Sequence, residues 1–169
     1  MFIRKTLAMK NEKNIAILKE MAEKVRICMF NTLTNDGFHS RPMGTAKIED
    51  DGSIWFFTNE YSPKSKEISK DNEVNLCYSD PSSNTYIYVN GEAELVDDQT
   101  KKEAYFSPFI KAWFPEGADD PNLILIKVTP AVAEYWDSNS SKMVVAFKML
   151  KAIVTGDTPD MGEHEKLKF

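Results

Sequence analysis

The stretch Ile54-Trp-Phe-Phe-Thr-Asn-Glu-Tyr-Ser-Pro-Lys-Ser-Lys-Glu-Ile68 changes character halfway along. Its first half is a short apolar, aromatic run, which predicts a strand from Ser53 to Thr58. Ser62-Pro63 then predicts the start of a helix, because serine is a preferred N-cap and proline suits the first helical position. We expect that helix to end near Asp71-Asn72.

Two further strands precede this stretch and are separated by turn signals. The β-rich run Arg26–Thr34 ends at Asn35-Asp36-Gly37, a strong hairpin signal, and the run His39–Glu49 is followed by a second Asp-Gly turn. Together with the strand from Ser53, these runs predict an antiparallel meander. Upstream, apolar residues recur at helical spacing, which predicts an amphipathic helix over Asn11–Lys24.

The chain downstream continues the β pattern. Three more strands are predicted at Glu73–Ser79, Thr85–Val96 and Leu123–Trp136. Gly91 inside the second of these predicts a bulge or a barrel bend, and Pro130 predicts a bend or break in the third. Between them, a helical stretch is expected to begin at Asp98, to be interrupted and restarted at Ser107-Pro108, and to run to about Phe114.

The C-terminal part, residues 142–169, is predicted to be a helical extension and tail of a single domain spanning 1–169. Met143–Val154 is compatible with strand or helix, and its apolar spacing favours helix. The tail from Gly156 is polar, and we expect it to lie over the surface or against a partner. Five or six antiparallel strands with helices in the connections predict a mainly β fold built as a small barrel.

Composition excludes several classes of function. The formal charge of −5 and pI of about 5.1 argue against a nucleic-acid binder, which would carry a basic face. No apolar stretch reaches membrane-spanning length, and the apolar part of the N-terminus is too short for a signal peptide, so we expect a cytoplasmic protein. His39 and His164 are far apart in sequence, which predicts no metal site. Cys28 and Cys77 lie in strand-like runs and are predicted to be buried thiols.

The predicted helix after Ser62 carries lysines where they are unfavourable. Lys64 and Lys66 fall in its first turn, where the helix already bears positive partial charge. Free backbone N–H groups, a hydroxyl and ammonium groups together can form a phosphate pocket. A capped surface helix with solvated lysines explains the local pattern equally well.

The wider sequence favours the phosphate pocket. The segment around Thr58, Ser62 and Lys64 resembles the phosphate-binding turn of the pyridoxamine 5′-phosphate oxidase-like superfamily, whose members are FMN-binding split β-barrels. The stretch His39–Lys47 is similar to the second strand of that family, whose arginine reaches the phosphate. The resemblance implies that Lys64 and Ser62, with the amides of the helix start, hold the phosphate of FMN and that Arg41 adds a second charge. It also implies a lining for the ribityl chain and ring, formed by Pro42, Met43, Phe57 and Thr58.

The end of the chain extends the resemblance. Ala133-Glu-Tyr-Trp-Asp137 resembles a late-strand motif whose tryptophan lies at the flavin, although Trp136 is equally compatible with a core aromatic. Residues 142–169 resemble the C-terminus of the bacterial general stress proteins of this superfamily. The resemblance implies a homodimer with FMN in the crevice between subunits, where Trp136 closes the site from its own or the partner subunit. The aromatic residues Phe106, Phe109, Ile110 and Trp113 are interpreted as core or dimer interface rather than as a cofactor site.

One departure limits the activity that the resemblance implies. True pyridoxamine-phosphate oxidases end with an Arg- and His-bearing motif, whereas Trp136 is followed here by Asp137-Ser-Asn-Ser-Ser-Lys142. We therefore do not expect oxidation of pyridoxamine 5′-phosphate. Two functions stay open: a flavin-dependent oxidoreductase of unknown substrate, whose chemistry belongs to the flavin, and a non-catalytic flavin-binding or flavin-sensing stress protein. A different cofactor in the same barrel, a deazaflavin or haem, is a third alternative, and the phosphate turn favours FMN.

Overall fold

The chain is described by a computed structural model that covers residues 2–137 and 163–169, with side chains described for 12–137 and 164–169. The helices are α1 (Phe2–Val25), α2 (Pro63–Ile68) and α3 (Gln99–Tyr105), with 3₁₀ turns at Ile110–Ala112 and Gly117–Asp119. The strands are β1 (Ile27–Thr34), β2 (Gly37–Ile48), β3 (Ile54–Asn59), β4 (Glu73–Asp80), β5 (Thr85–Val96), β6 (Leu123–Asp137) and β7 (Glu163–Lys168). The helix predicted at Met143–Val154 lies outside the described residues. Within the described ranges, no helix combines the length and apolar character needed to span a membrane.

Six of the strands form a closed antiparallel barrel. Their order is β3-β2-β1-β4-β5-β6, and β6 pairs back with β3 to close it. Gly37 and Gly52 both have positive φ, at 107° and 88°, as the tight turns on either side of β2 require. The mainly β barrel predicted from the sequence is therefore confirmed.

Strand β6 is long because it has two different partners on one side. Its first half pairs with β3, with Val128 opposite Ile54, and its second half pairs with β7, with Trp136 opposite His164. Glu163–Lys168 belongs to the tail that the sequence predicts to lie over the surface or against a partner, and the strand that it forms there is not predicted. Among the described side chains of this segment, 164–168, only Leu167 is buried, at 2% exposure, so its apolar pattern is too weak to be recognised in the sequence.

The bulge predicted at Gly91 is confirmed. The register between β5 and β6 shifts between Asn90 and Gly91, and Gly91 lies opposite Pro130. A Cβ atom at Gly91 would lie 2.3 Å from the carbonyl oxygen of Thr129, so only glycine fits this close approach. Because the proline is accommodated at the bulge, β6 continues through it without a break.

Several predicted boundaries differ from the structure. Helix α1 begins at Phe2 rather than near Asn11, and α2 ends at Ile68 rather than near Asp71. The Asp98 side chain caps α3 by accepting a hydrogen bond from the Lys101 amide, as an N-cap should. Beyond Ser107-Pro108 the chain forms a single 3₁₀ turn rather than a second helix.

The two cysteines have different environments. Cys28 points into the barrel, and its burial raises the pKa of the thiol to about 12. Cys77 is exposed, so the prediction that both thiols are buried is wrong for this residue. The reason is the alternation of side chains along β4, where Leu76 and Tyr78 point inward and Cys77 points outward.

Candidate functional site

A cavity of about 490 Å³ opens beside the start of α2, between β2, β3 and the segment that follows α3. Its polar lining consists of Thr58, Asn59 and Lys64, and the remaining lining residues are apolar or glycine. Among the predicted site residues, the structure brings Pro42, Met43, Phe57, Thr58 and Lys64 together in this wall.

The loop between β3 and α2 is fixed by a chain of hydroxyl groups. Ser62 Oγ shares hydrogen bonds with Thr58 Oγ1 (3.2 Å) and with Ser65 Oγ (2.9 Å), and it accepts a weak one from the Ser65 amide (3.4 Å). Ser65 Oγ in turn donates to the carbonyl oxygen of Asn59 at 2.8 Å. Ser62 is therefore the N-cap that the sequence predicts, and it lies behind the cavity wall rather than in it.

These contacts bear on how much the start of α2 contributes to the positive charge at the cavity. Helix α2 has only six residues, and its Ser65 amide is already engaged by Ser62. A helix this short carries a small macrodipole. The formal positive charge that faces the cavity is the ammonium group of Lys64.

Lys64 is half-buried in the cavity wall. Burial lowers the pKa of its ammonium group, and the nearby positive charge of Arg41 lowers it further, while the negative charge of Glu67 offsets part of this effect. Among the described residues, Lys64 has no acidic side chain within ion-pair distance. Lys66, on the same helix, is exposed and does not line the cavity. A partly desolvated cation without a counterion, set in an apolar wall, is suited to bind an anion.

Arg41 stands behind the cavity and is already paired. Its guanidinium donates to Thr32 Oγ1 and to Glu67 Oε2, both at 2.8 Å. Glu67 also accepts from Thr32 at 2.6 Å and lies 2.8 Å from Nδ1 of His39. Burial by itself would raise the pKa of Glu67, but the hydrogen bonds from Thr32 and His39 and the charge of Arg41 lower it. In this structure Arg41 is therefore ion-paired with Glu67, whereas Lys64 has no ion-pair partner among the described residues.

Glu67 is not among the site residues that the sequence predicts. It lies one helical turn after Lys64, so the sequence offers a spacing of three residues as a signal. Its pairing with Arg41 depends on how α2 packs over β1 and β2, which the sequence does not reveal.

The aromatic segment after α3 forms the opposite wall. Phe109, Ile110 and Trp113 line the cavity, and Phe109 and Trp113 are 62% and 63% exposed. The interpretation of this segment as core or interface alone is therefore incomplete. Phe106 packs edge-on against Phe57, with ring centroids 6.0 Å apart, and so holds the two walls together.

Trp136 does not line the cavity of its own chain. It stacks on the imidazole of His164, with ring centroids 4.8 Å apart and an interplanar angle of 7°, and it is 41% exposed. A role for Trp136 at the flavin therefore requires a second subunit and stays a prediction.

The cavity residues fit FMN. The volume lies within the range of ordinary cofactor pockets. Lys64 offers a cation for a phosphate, Thr58 and Asn59 offer hydrogen-bonding groups for a ribityl chain, and the aromatic walls suit a flat ring system. Of the titratable side chains in the described part of the chain, only Lys64 lines this cavity.

Comparisons with known proteins identify the family of the chain. The family model described as "Pyridoxamine 5′-phosphate oxidase like" matches residues 13–160. The chain is 27% identical to a Jannaschia sp. CCS1 protein assigned as a general stress protein 26, with a TM-score of 0.73 and coverage of 97% and 99% of the two chains. It is also 27% identical to the general stress FMN/FAD binding protein from Xanthomonas citri, with a TM-score of 0.64 and coverage of 79% and 92%.

A curated relative is matched over only part of its length. Protein bli-3 of Neurospora crassa is 26% identical over 126 residues, which are 69% of this chain and 60% of the fungal protein. This chain thus spans less than two thirds of that relative.

Proposed function

Because the chain belongs to the pyridoxamine 5′-phosphate oxidase like family, we propose that it is a general-stress-type protein that binds FMN in the cavity between β2, β3 and α2. The observation that carries the proposal is Lys64, a half-buried cation without a direct ion-pair partner among the described residues, set in a largely apolar and aromatic wall. FMN presents a dianionic phosphate and an apolar ring, and it complements both features of this wall.

The residues of the chain divide the binding between them. Lys64 holds the phosphate, and Glu67 fixes the guanidinium of Arg41 behind it as a second, partly neutralised charge. Thr58 and Asn59 hydrogen-bond the ribityl chain. Phe57 and Trp113 hold the ring and exclude water from it. FMN, when bound, supplies the hydride- and electron-accepting chemistry.

We further propose that the protein is a flavin-dependent oxidoreductase of a small reductant. Lys64 is the one titratable side chain among the described lining residues, and its place is at the phosphate. The wall thus offers no group to move a proton at the ring, which favours plain hydride or electron transfer over chemistry that needs a fixed general base. The same observation supports the alternative function, a flavin-binding or flavin-sensing protein without turnover.

A homodimer is part of the proposal. Strand β1 exposes Ile27, Met29 and Leu33 on its outer face, and Phe38 of β2 lies beside Leu33 with 68% of its surface exposed. Ile27 also lines the cavity, so this apolar face continues into the cavity mouth. Contiguous exposed apolar surface of this kind marks an interaction site. A second copy covering the face would close the cavity and bring a partner residue such as Trp136 to the flavin.

The experiment that tests the proposal compares FMN with riboflavin. Apo-protein is titrated with each, and bound flavin is followed by its visible absorbance and fluorescence. We expect FMN to bind more tightly than riboflavin, because only FMN carries the phosphate. Equal affinity for FMN and riboflavin would contradict the proposal that Lys64 binds the phosphate. Binding of neither flavin would overturn the proposal that the protein binds FMN. Steady-state oxidation of NADH or NADPH by the FMN-loaded protein then separates the oxidoreductase from the non-catalytic alternative.

A further inference from the structure

A second cavity, of about 550 Å³, adjoins the first. It lies between the C-terminal end of α1, the second half of β2 and the segment after α3. The two cavities share Ile27, Gly44, Phe109 and Ile110 as lining residues. A molecule in the second cavity would therefore lie directly beside a ligand in the first.

Arg26 lines this second cavity and has an unusual backbone. It is the single residue between α1, which ends at Val25, and β1, which begins at Ile27. Its φ is 62°, in the left-handed region, and its backbone is held at both ends. The Arg26 amide donates to the Ala22 carbonyl at 2.9 Å, and the Thr45 amide donates to the Arg26 carbonyl at 2.8 Å. Glycine is the usual residue after a helix in this conformation, because a Cβ atom is unfavourable there. An arginine at this position retains a charged side chain at a cost to the fold.

The charges of this cavity favour an anion. Arg26 and Lys47 line it, and neither has an ion-pair partner within 4 Å in the described part of the chain. Glu23 is the one acidic lining residue and offsets part of this charge. The Tyr105 hydroxyl donates to Glu49 and is already engaged. Two further hydroxyl groups line it, Ser107 and Thr45, and the Thr45 hydroxyl is hydrogen-bonded to Tyr78 at 2.8 Å; the remaining lining is apolar or glycine.

We propose that the second cavity binds an amphipathic organic anion, a molecule with an apolar body and a carboxylate or phosphate group. Arg26 and Lys47 hold the anionic group, and Ile27 and Phe109 contact the apolar body. Ile27 and Gly44 bring that body to the edge of the first cavity. The further statement that this anion is the reacting partner of the flavin rests on the proposed function, whereas its binding does not.

The experiment follows backbone amide shifts of ¹⁵N-labelled protein, without added flavin, during titration with phenyl phosphate, benzoate or phenol. We expect both anions to shift the amides of Gly44, Ala46 and Lys47, and neutral phenol to bind more weakly. A preference for phenyl phosphate or for benzoate identifies the anionic group. Shifts confined to residues 58–65 would place the anion in the first cavity and overturn the proposal.

Two variants of one residue separate charge from folding. Arg26→Gly relieves the left-handed backbone and should leave the midpoint of thermal unfolding unchanged or raise it, while it weakens binding of the anion about tenfold. Arg26→Gln keeps the backbone conformation and loses the charge, and it should weaken binding to a similar extent. Unchanged affinity in both variants would overturn the proposal. If the wild-type protein binds the anion but does not bind FMN, the proposed function alone is overturned.

Discussion

Replacing Lys64 by alanine should weaken FMN binding by about tenfold to a hundredfold. A hydrogen bond to a charged group contributes roughly 1.5–3 kcal/mol, and about 1.4 kcal/mol is a factor of ten in affinity. Two features of the structure favour the upper part of this range. The ammonium group is already partly desolvated, so water competes less for it. Arg41, whose positive charge also acts on Lys64, is paired with Glu67 and cannot fully replace the lost charge.

The assay is calorimetric titration of the apo-protein with FMN and with riboflavin, for the wild type and for two variants. Riboflavin lacks the phosphate, so Lys64→Ala should leave its affinity nearly unchanged. Lys66→Ala is the matched control, because Lys66 lies on the same helix, is exposed and does not line the cavity. An equal loss in both variants would mean that diffuse charge attracts the phosphate. No loss in Lys64→Ala would refute the assignment of the phosphate site.

Lys64→Ala also tests whether Lys64 contributes to the stability of the apo-protein. Burial and the charge of Arg41 lower the pKa of Lys64, so folding disfavours its charged form. Lys64→Ala should therefore leave the thermal midpoint of the apo-protein unchanged or raise it slightly. A large drop in that midpoint would mean that Lys64 supports the fold, and the loss of FMN affinity could not then be assigned to a direct contact.

Four further outcomes are expected. Light scattering at micromolar concentration should give about twice 19.3 kDa, and Met29→Glu should give a monomer; a wild-type monomer that still binds FMN would contradict a shared site. Pyridoxamine 5′-phosphate should not be oxidised by the FMN-loaded protein, and turnover at ordinary enzyme rates, roughly 1 s⁻¹ or more, would reverse that expectation. The pKa of Glu49 is lowered to about 2: burial alone would raise it, but hydrogen bonds from Lys101 and Tyr105 outweigh burial. Its stabilisation is therefore complete above the ordinary value of 4.5 and is lost as the pH falls towards 2. Glu49→Gln should lower the free energy of unfolding at neutral pH by about 1–2 kcal/mol, a modest effect because the carboxylate stays partly in water. The variant should also lose less stability than the wild type as the pH falls from 4.5 towards 2. The same pH dependence of unfolding in the variant and the wild type would contradict this expectation. Gly91→Ala should cost about 1–3 kcal/mol or more by overpacking against the backbone of Thr129, whereas Gly44→Ala, whose Cβ would meet nothing within 4 Å, should cost less than 1 kcal/mol.

Local sequence signals were sufficient for the strands of the barrel. Alternating apolar residues and glycine turns identified β1 to β6 within a few residues, because side-chain alternation and positive φ are properties of the local chain. Ser62 and Asp98 marked helix starts for the same reason, since a cap bonds within its own turn. The strand at Glu163–Lys168 was missed because its pairing with β6, and not its own pattern, makes it a strand.

The candidate site likewise combines residues that the sequence identifies with contacts that only the structure shows. The sequence identified Lys64, Thr58, Met43 and Phe57, whose motif and resemblance are readable without a structure, and the structure places them in one wall. Only the tertiary structure showed that Arg41 is ion-paired with Glu67 and that the segment after α3 lines the same cavity. The physical reason is the separation along the chain between the residues that interact. Turns, caps and alternation are decided by neighbours in sequence, whereas counterions and cavity walls are decided by residues that only packing brings together.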